Sequence, residues 1–259
     1  MSREEKLYGV HPVLAALAGQ QRHITKLVLD GRQGPAAQRI VALARQRGIP
    51  IEFVAGTELH RLVGHGHHQG VVAFAGKPGT VAFDEVLAAL SDTQDMQTLV
   101  LLDQVTDTGN FAALLRSADA FGVGAILVPR HHSVALTPAV AKRSAGASER
   151  VQVVQVGNVA RALVALKQVG FWVYGADMHA TTSVAQVTWP ERVVLALGAE
   201  DHGLRRLVRE SCDTLVRVPM RPGVDSLNVA VAGAIVLAYR WNGHTPPCGH
   251  ADGPLPRSY

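Results

Sequence analysis

The strongest constraint on this chain is an alternation that runs from about residue 98 to residue 240. Short apolar runs occur at 98–102, 125–128, 151–156, 172–175, 193–197 and 215–218. Segments of helical period lie between or after them at 111–121, 159–169, 204–210 and 229–240. Short strands that are apolar on both faces and separated by helices build a parallel, doubly wound α/β sheet. With 47% hydrophobic and 18% charged residues, the chain can bury such a sheet under helices.

The first third alternates too, on a smaller scale. Residues 8–18 read as a short helix and 24–29 as a strand. Residues 35–47 form an amphipathic helix with Pro35 at its start and Gly48 past its end. A strand at 51–54, a Thr-capped helix at 57–62 and a strand at 70–74 complete a unit of residues 1–75. The breakers Gly76-Lys77-Pro78-Gly79-Thr80 open a linker expected across 76–97, with a short helix at 83–90. The second domain is expected over 98–242. Residues 243–259 hold Pro, Gly and His without period and are expected to be disordered.

Residues 1–80 carry ten Lys/Arg against five Asp/Glu, together with six histidines. A basic module of this kind suits a polyanion such as RNA. The two cysteines, Cys212 and Cys248, form no CxxC pair, which argues against a disulfide framework and a zinc ribbon. The apolar stretches 99–102 and 229–239 are too short or too broken to span a membrane. Residues 1–6 carry mixed charge with no apolar run behind them, so no secretion signal is expected. A cytoplasmic protein without membrane association is the resulting expectation.

Several chemistries lack their motif. No G-x-G-x-x-G follows a strand: Gln69 stands where the third glycine would follow Gly64 and Gly66, and Gly122-Val123-Gly124 also lacks its third glycine. Gly76-Lys77 runs into Pro78 and makes no P-loop, and no G-x-S-x-G occurs. The runs His65-Gly66-His67-His68 and His131-His132 have no Cys or carboxylate close in sequence, and no metal site is expected.

Three segments follow strands of the second unit, where open α/β sheets bind ligands. The first is Leu102-Asp103-Gln104-Val105-Thr106-Asp107-Thr108-Gly109-Asn110, which opens the helix carrying Arg116. Locally, Asn110 reads either as a helix cap or as a site residue, and Arg116 either as an ion-pair partner of Asp119 or as a site residue. The second is Gly198-Ala199-Glu200-Asp201-His202-Gly203, either a tight turn or a close backbone approach to a ligand. The third is Val218-Pro219-Met220-Arg221-Pro222-Gly223-Val224-Asp225-Ser226-Leu227-Asn228, where Ser226 or Asn228 caps the helix that follows.

In order, spacing and identity these segments resemble the three motifs of the SpoU class of SPOUT RNA 2′-O-methyltransferases. Tyr8-Gly9-Val10-His11-Pro12-Val13 and His68-Gln69-Gly70-Val71-Val72-Ala73 resemble the edges of a small L30e-like RNA-binding domain. One branch of the family carries that domain and methylates a guanosine in the peptidyl-tRNA-binding loop of 23S rRNA. The resemblance implies a SPOUT domain with a parallel sheet and a C-terminal trefoil knot, a rare topology that local rules do not predict. It implies S-adenosylmethionine as methyl donor, 23S ribosomal RNA as partner and a homodimer with the sites at its interface. Gly198, Val218, Met220 and Leu227 match positions around the donor, and Asn110, Arg116, Glu200, Ser226 and Asn228 match the polar catalytic positions. Thr108, Ala112 and Ala230 depart from the usual pattern. Expected together, these three segments share one pocket with Arg116 facing the methyl group. A tRNA or other rRNA ribose methyltransferase, and a catalytically silent RNA-binding protein of the same fold, are the alternatives.

Overall fold

The computed structural model describes residues 4–19, 21–31, 34–64, 67–78, 81–93, 95–131, 133–224 and 226–243. The expected tail beyond Gly243, and His65, Gly66, Gly79, Thr80 and His132 of the loops named above, lie outside these residues.

The first unit comprises β1 (Glu5–Tyr8), α1 (Val10–Ala18), β2 (Ile24–Leu29), α2 (Pro35–Gln46), β3 (Ile51–Phe53), α3 (Gly56–Val63) and β4 (Val71–Ala75). Its sheet runs β1-β4-β2-β3, with β2 and β3 parallel and the other pairs antiparallel. The stretch read as helix from residue 8 begins instead as strand, because Tyr8 pairs with Val72. Gly9, at φ 98°, then turns the chain into α1. Helix α2 starts on Pro35 and buries Ile40 and Ala44, one turn apart, against Leu17, Leu27 and Val71.

The second unit comprises β5 (Val81–Ala82), α4 (Phe83–Ser91), β6 (Gln97–Asp103), α5 (Thr108–Ala120), β7 (Ala125–Pro129), α6 (Pro138–Arg143), β8 (Gln152–Val156), α7 (Val159–Gln168), β9 (Trp172–Ala176), β10 (Thr182–Ser183), β11 (Arg192–Gly198), α8 (Arg206–Glu210), β12 (Thr214–Arg217) and α9 (Val229–Asn242). Eight strands run β10-β12-β9-β11-β6-β7-β8-β5, and every pairing is parallel. The period of two is visible in β6. Val100 and Leu102 face Phe111, Leu115 and Leu237 on one side, while Leu99 and Leu101 face Val86, Leu163 and Leu166 on the other.

The expected linker over 76–97 is corrected by this sheet. Val81 pairs with Val154, so β5 is an edge strand of the second unit. Val86 and Leu90 of α4 are buried in that unit's core, and Arg192 Nη2 donates to the Leu90 carbonyl at 2.6 Å. A helix with one apolar face needs cover, and the exposed side of β6–β8 supplies it.

The two units share a packed seam. Ala141 of α6 joins the core of the first unit. Gly146, at φ 81°, passes α1 so closely that a Cβ there would lie 2.7 Å from Ala15 Cβ and 2.8 Å from the His11 carbonyl oxygen. Beside it, the buried Arg22 guanidinium donates through Nε to both Glu149 oxygens at 3.0 and 2.9 Å, and through Nη1 to Glu5 at 2.9 Å. Removing one partner of a buried ion pair strands the other charge. Arg22→Ala leaves the buried Glu149 carboxylate without a cation and is therefore expected to cost about 3–5 kcal/mol in urea unfolding. A loss below about 1 kcal/mol would show that the pair does not hold the seam. Among the described residues no helix is long and apolar enough to cross a membrane.

Candidate active site

Strand β6 leads to β7 and β8 on one side, while β11 and β9 lie on its other side. The crevice at the carboxyl ends of β6 and β11 is therefore a topological switch point, the usual ligand position in such sheets. The two strands end in register, Gly198 opposite Asp103. Asp103, fully buried, accepts from the Arg205 backbone N–H at 2.9 Å and from its Nε at 2.8 Å. That ties the segment after β11 to the end of β6. Within it, Ala199 and Gly203 exchange backbone hydrogen bonds at 3.1 and 2.9 Å and close a tight turn. The turn leaves no room over Gly198: a Cβ there would sit 2.0 Å from the Gly203 carbonyl carbon and 2.3 Å from the Leu204 nitrogen.

Helix α5 leaves β6 through a cap that differs from the sequence reading. Asp107, not Asn110, is the N-cap, and its Oδ1 accepts from the Asn110 backbone N–H at 2.7 Å. The Asn110 side chain is thus released from capping. Its Nδ2 donates to Glu200 Oε1 at 2.7 Å, across 90 positions of sequence. Asn228 caps α9: its Oδ1 accepts from the N–H groups of Ala230 and Val231 at 2.9 and 3.3 Å. With its Nδ2 it donates to Asn110 Oδ1 at 2.8 Å and to Glu200 Oε1 at 2.6 Å. Three residues from three strand ends so form one closed network. Glu200 Oε2 accepts no hydrogen bond among the described residues and is open to a ligand. Close helix packing makes the meeting possible, because a Cβ at Gly233 of α9 would lie 2.7 Å from Leu114 of α5 and 2.7 Å from Leu197 of β11.

Beside this network lies a cleft of about 320 Å³. Gly198, Val218, Met220 and Leu227, the four positions matched to the donor, all line it, as do Glu200 and Ser226. Its apolar and glycine walls, with charged and polar groups such as Asp177, Glu200 and Ser226 on the lining, suit a small organic ligand that is part apolar and part charged, and its size is at the lower end of such sites. Ser226 is exposed and caps nothing. Sequence reasoning passed over Asp177, Met178 and His179, which also line the cleft. They follow β9, so the strand-end rule applied to the first three segments would have found them. Asp177 is paired with Arg209 at 3.1 Å. Cys212 lies beneath Gly175, and burial pushes its thiol up to about 12, so it offers no thiolate at neutral pH.

Arg116 stands apart from this group in the single chain. It does not line the cleft of its own chain. Six residues beyond Asn110 it lies about 9 Å further along α5 and roughly 120° around it. Nor does it pair with Asp119, whose carboxylate is held by Arg150 at 3.0 and 2.5 Å; that hydrogen bond raises the Arg150 pKa. Arg116 stands exposed, with no ion-pair partner among the described residues.

A sequence model described as the SpoU rRNA Methylase family matches residues 97–238. The chain belongs to that family. A second model, for RNA 2′-O ribose methyltransferase substrate binding, matches residues 6–81. Two curated relatives are named 23S rRNA (guanosine-2′-O-)-methyltransferase RlmB. That of Pseudomonas syringae pv. tomato is 42% identical over 92% of this chain and 95% of its own. That of Pseudomonas putida is 41% identical over 92% and 96%. Among solved structures, the SpoU methyltransferase AviRb from Streptomyces viridochromogenes, in complex with the cofactor AdoMet, superposes with a TM-score of 0.74. The match covers 92% of this chain and 89% of that one at 24% identity. This last likeness bears on the fold of this SpoU-family chain.

Proposed function

We propose that this SpoU-family chain methylates the ribose 2′-hydroxyl of a guanosine in 23S rRNA, with S-adenosylmethionine as donor, as a cytoplasmic homodimer. The observation that carries this reading is the Asn110–Glu200–Asn228 network at the rim of the cleft formed by Gly198, Val218, Met220 and Leu227. The names of relatives about 40% identical supply the 23S rRNA and guanosine.

The donor supplies a methyl group already activated on a sulfonium. The cleft walls would hold its adenosyl and methionyl parts by apolar contact and by backbone groups near Gly198. The remaining task is to place the ribose oxygen in line and manage its proton. Glu200 Oε2 is open to accept a hydrogen bond from the ribose, while Asn110 and Asn228 fix the carboxylate through Oε1. Ser226 adds a hydroxyl on the same rim. A guanidinium is a poor base and a good fork of hydrogen-bond donors, so Arg116 serves to orient the hydroxyl and stabilise charge.

For Arg116 to do so, it must reach the cleft of a second copy. Its exposure and its place outside its own cleft support that arrangement. So do Val231 and Tyr239, which α9 leaves 48% and 41% exposed beside α5. The strand order β12-β9-β11-β6, in which the last strand returns past β11 to the far side of β9, supports a trefoil knot through the loops around residues 198–204 and 218–228. The mixed sheet of the first unit and the match of residues 6–81 support an L30e-like RNA-binding domain. Incubation with labelled donor and 23S rRNA transcripts, followed by mapping, is expected to give a single 2′-O-methylguanosine. A mark at a base or at a ribose other than a guanosine's, or none, would contradict the proposal.

A further inference from the structure

Helix α6 sits on the seam between the two units, and its last turn carries Lys142 and Arg143 in succession. Lys142 turns toward the first unit: its Nζ donates to the His67 carbonyl and lies 5.2 Å from the Tyr8 ring centroid. Arg143 turns toward the catalytic network. Its Nη1 donates to Thr108 Oγ1 at 3.2 Å and lies 3.8 Å from where a Gly109 Cβ would be. Thr108 and Gly109 immediately precede Asn110, so this guanidinium stands at the mouth of the site.

The other arginines that fasten neighbouring strand ends are neutralised. Arg205 is paired with Asp103, Arg209 with Asp177, and Arg150 with Asp119. Arg143 has one neutral hydroxyl as partner and no ion pair among the described residues, and it is exposed. The nearby carboxylate, Asp107, accepts the Asn110 N–H through Oδ1 and makes no ion pair with Arg143. Holding an exposed guanidinium by a single threonine, without an ion pair, does little for stability. It does present the planar fork of donors that suits a phosphate.

We propose that Arg143, anchored by Thr108, clamps a backbone phosphate of the RNA strand next to the ribose received by Asn110, Glu200 and Asn228. The inference rests on the reading of the chain as an RNA ribose methyltransferase and adds to it a positioning residue. A strand held by residues 6–81 and delivered to Asn110 crosses α6, whose last turn holds Arg143 beside Thr108. Phosphate contacts fix register without reading sequence, which is the task at this point.

The test uses the full-length protein and a 23S rRNA transcript, with binding measured without donor at several salt concentrations. Arg143→Ala is expected to raise RNA Kd and KM about tenfold and to reduce the slope of log K against log[salt] by about 0.7–0.9, one phosphate's share. Its kcat should stay within about twofold and its donor affinity, by calorimetry, should be unchanged. Arg143→Lys should keep the salt slope while losing part of the affinity, since it retains charge without the fork. Thr108→Val should weaken RNA binding about threefold with the charge still present. Unchanged RNA affinity and slope in Arg143→Ala would overturn the clamp. So would an equal loss of donor and RNA affinity, which marks a local structural role. In either case a wild-type chain that still methylates leaves the functional reading standing, whereas a wild-type chain that methylates no RNA overturns both.

Discussion

Arg116→Ala and Glu200→Ala are each expected to lose roughly a thousandfold in kcat, and to regain about a quarter of the wild-type rate when co-refolded as mixed dimers. The reasoning is geometric. Glu200 lines the cleft of its own chain, whereas Arg116 lies outside it. If one copy supplies the cleft and the other supplies Arg116, a mixed dimer contains one site with both residues and one with neither. Half of the dimers at random mixing are of this kind, and each has one working site. Donor binding separates the roles further. Arg116→Ala is expected to bind S-adenosylmethionine with wild-type affinity, because no cleft wall changes. Failure of the mixture to regain activity, with dimers confirmed by ultracentrifugation, would place Arg116 in the same chain's site or remove it from catalysis.

Gly198→Ala is expected to abolish detectable donor binding and to lower stability by about 3 kcal/mol, with Tm falling by about 6–12 °C. The added Cβ would meet main chain, 2.0 Å from the Gly203 carbonyl carbon and 2.3 Å from the Leu204 nitrogen. No side chain can swing aside there. The turn between Ala199 and Gly203 would have to open, and with it the wall that Glu200 and Leu204 share. Gly203→Ala is the control. Its Cβ would enter open space, and the cost is the left-handed backbone alone, about 1–2 kcal/mol. Near-wild-type donor affinity in Gly198→Ala would show that this close approach does not shape the binding wall.

Local pattern made much of this architecture legible, and the failures share a cause. The six strands read from apolar runs are all present, because parallel strands buried on both faces announce themselves as continuous apolar segments. Asn110 was open to reading as a cap because both Asp107 and Asn110 precede the apolar stretch, and only the structure shows which of them closes the helix. The helix at 83–90 is legible from its pattern, but its place in the second unit is not, because a two-residue strand has no period and the burial of Val86 and Leu90 against Leu99 and Leu101 is a non-local fact. Helix α6 was missed although Thr137 and Pro138 are its cap and first residue; at six residues it is too short for periodicity to register. The network of Asn110, Glu200 and Asn228 spans 118 positions, and no local rule joins its members. The resemblance brought those residues forward, and the hydrogen bonds show how they meet. It also grouped Arg116 with them, which a single chain does not do.

The most direct measurement of the central claim is a crystal structure of the protein with S-adenosylmethionine. The account predicts donor density against Gly198, Val218, Met220 and Leu227, with its methyl group turned toward Glu200 and an Arg116 side chain from the second copy. Density for the donor on another surface, or a cleft filled by side chains and closed to it, would contradict the account.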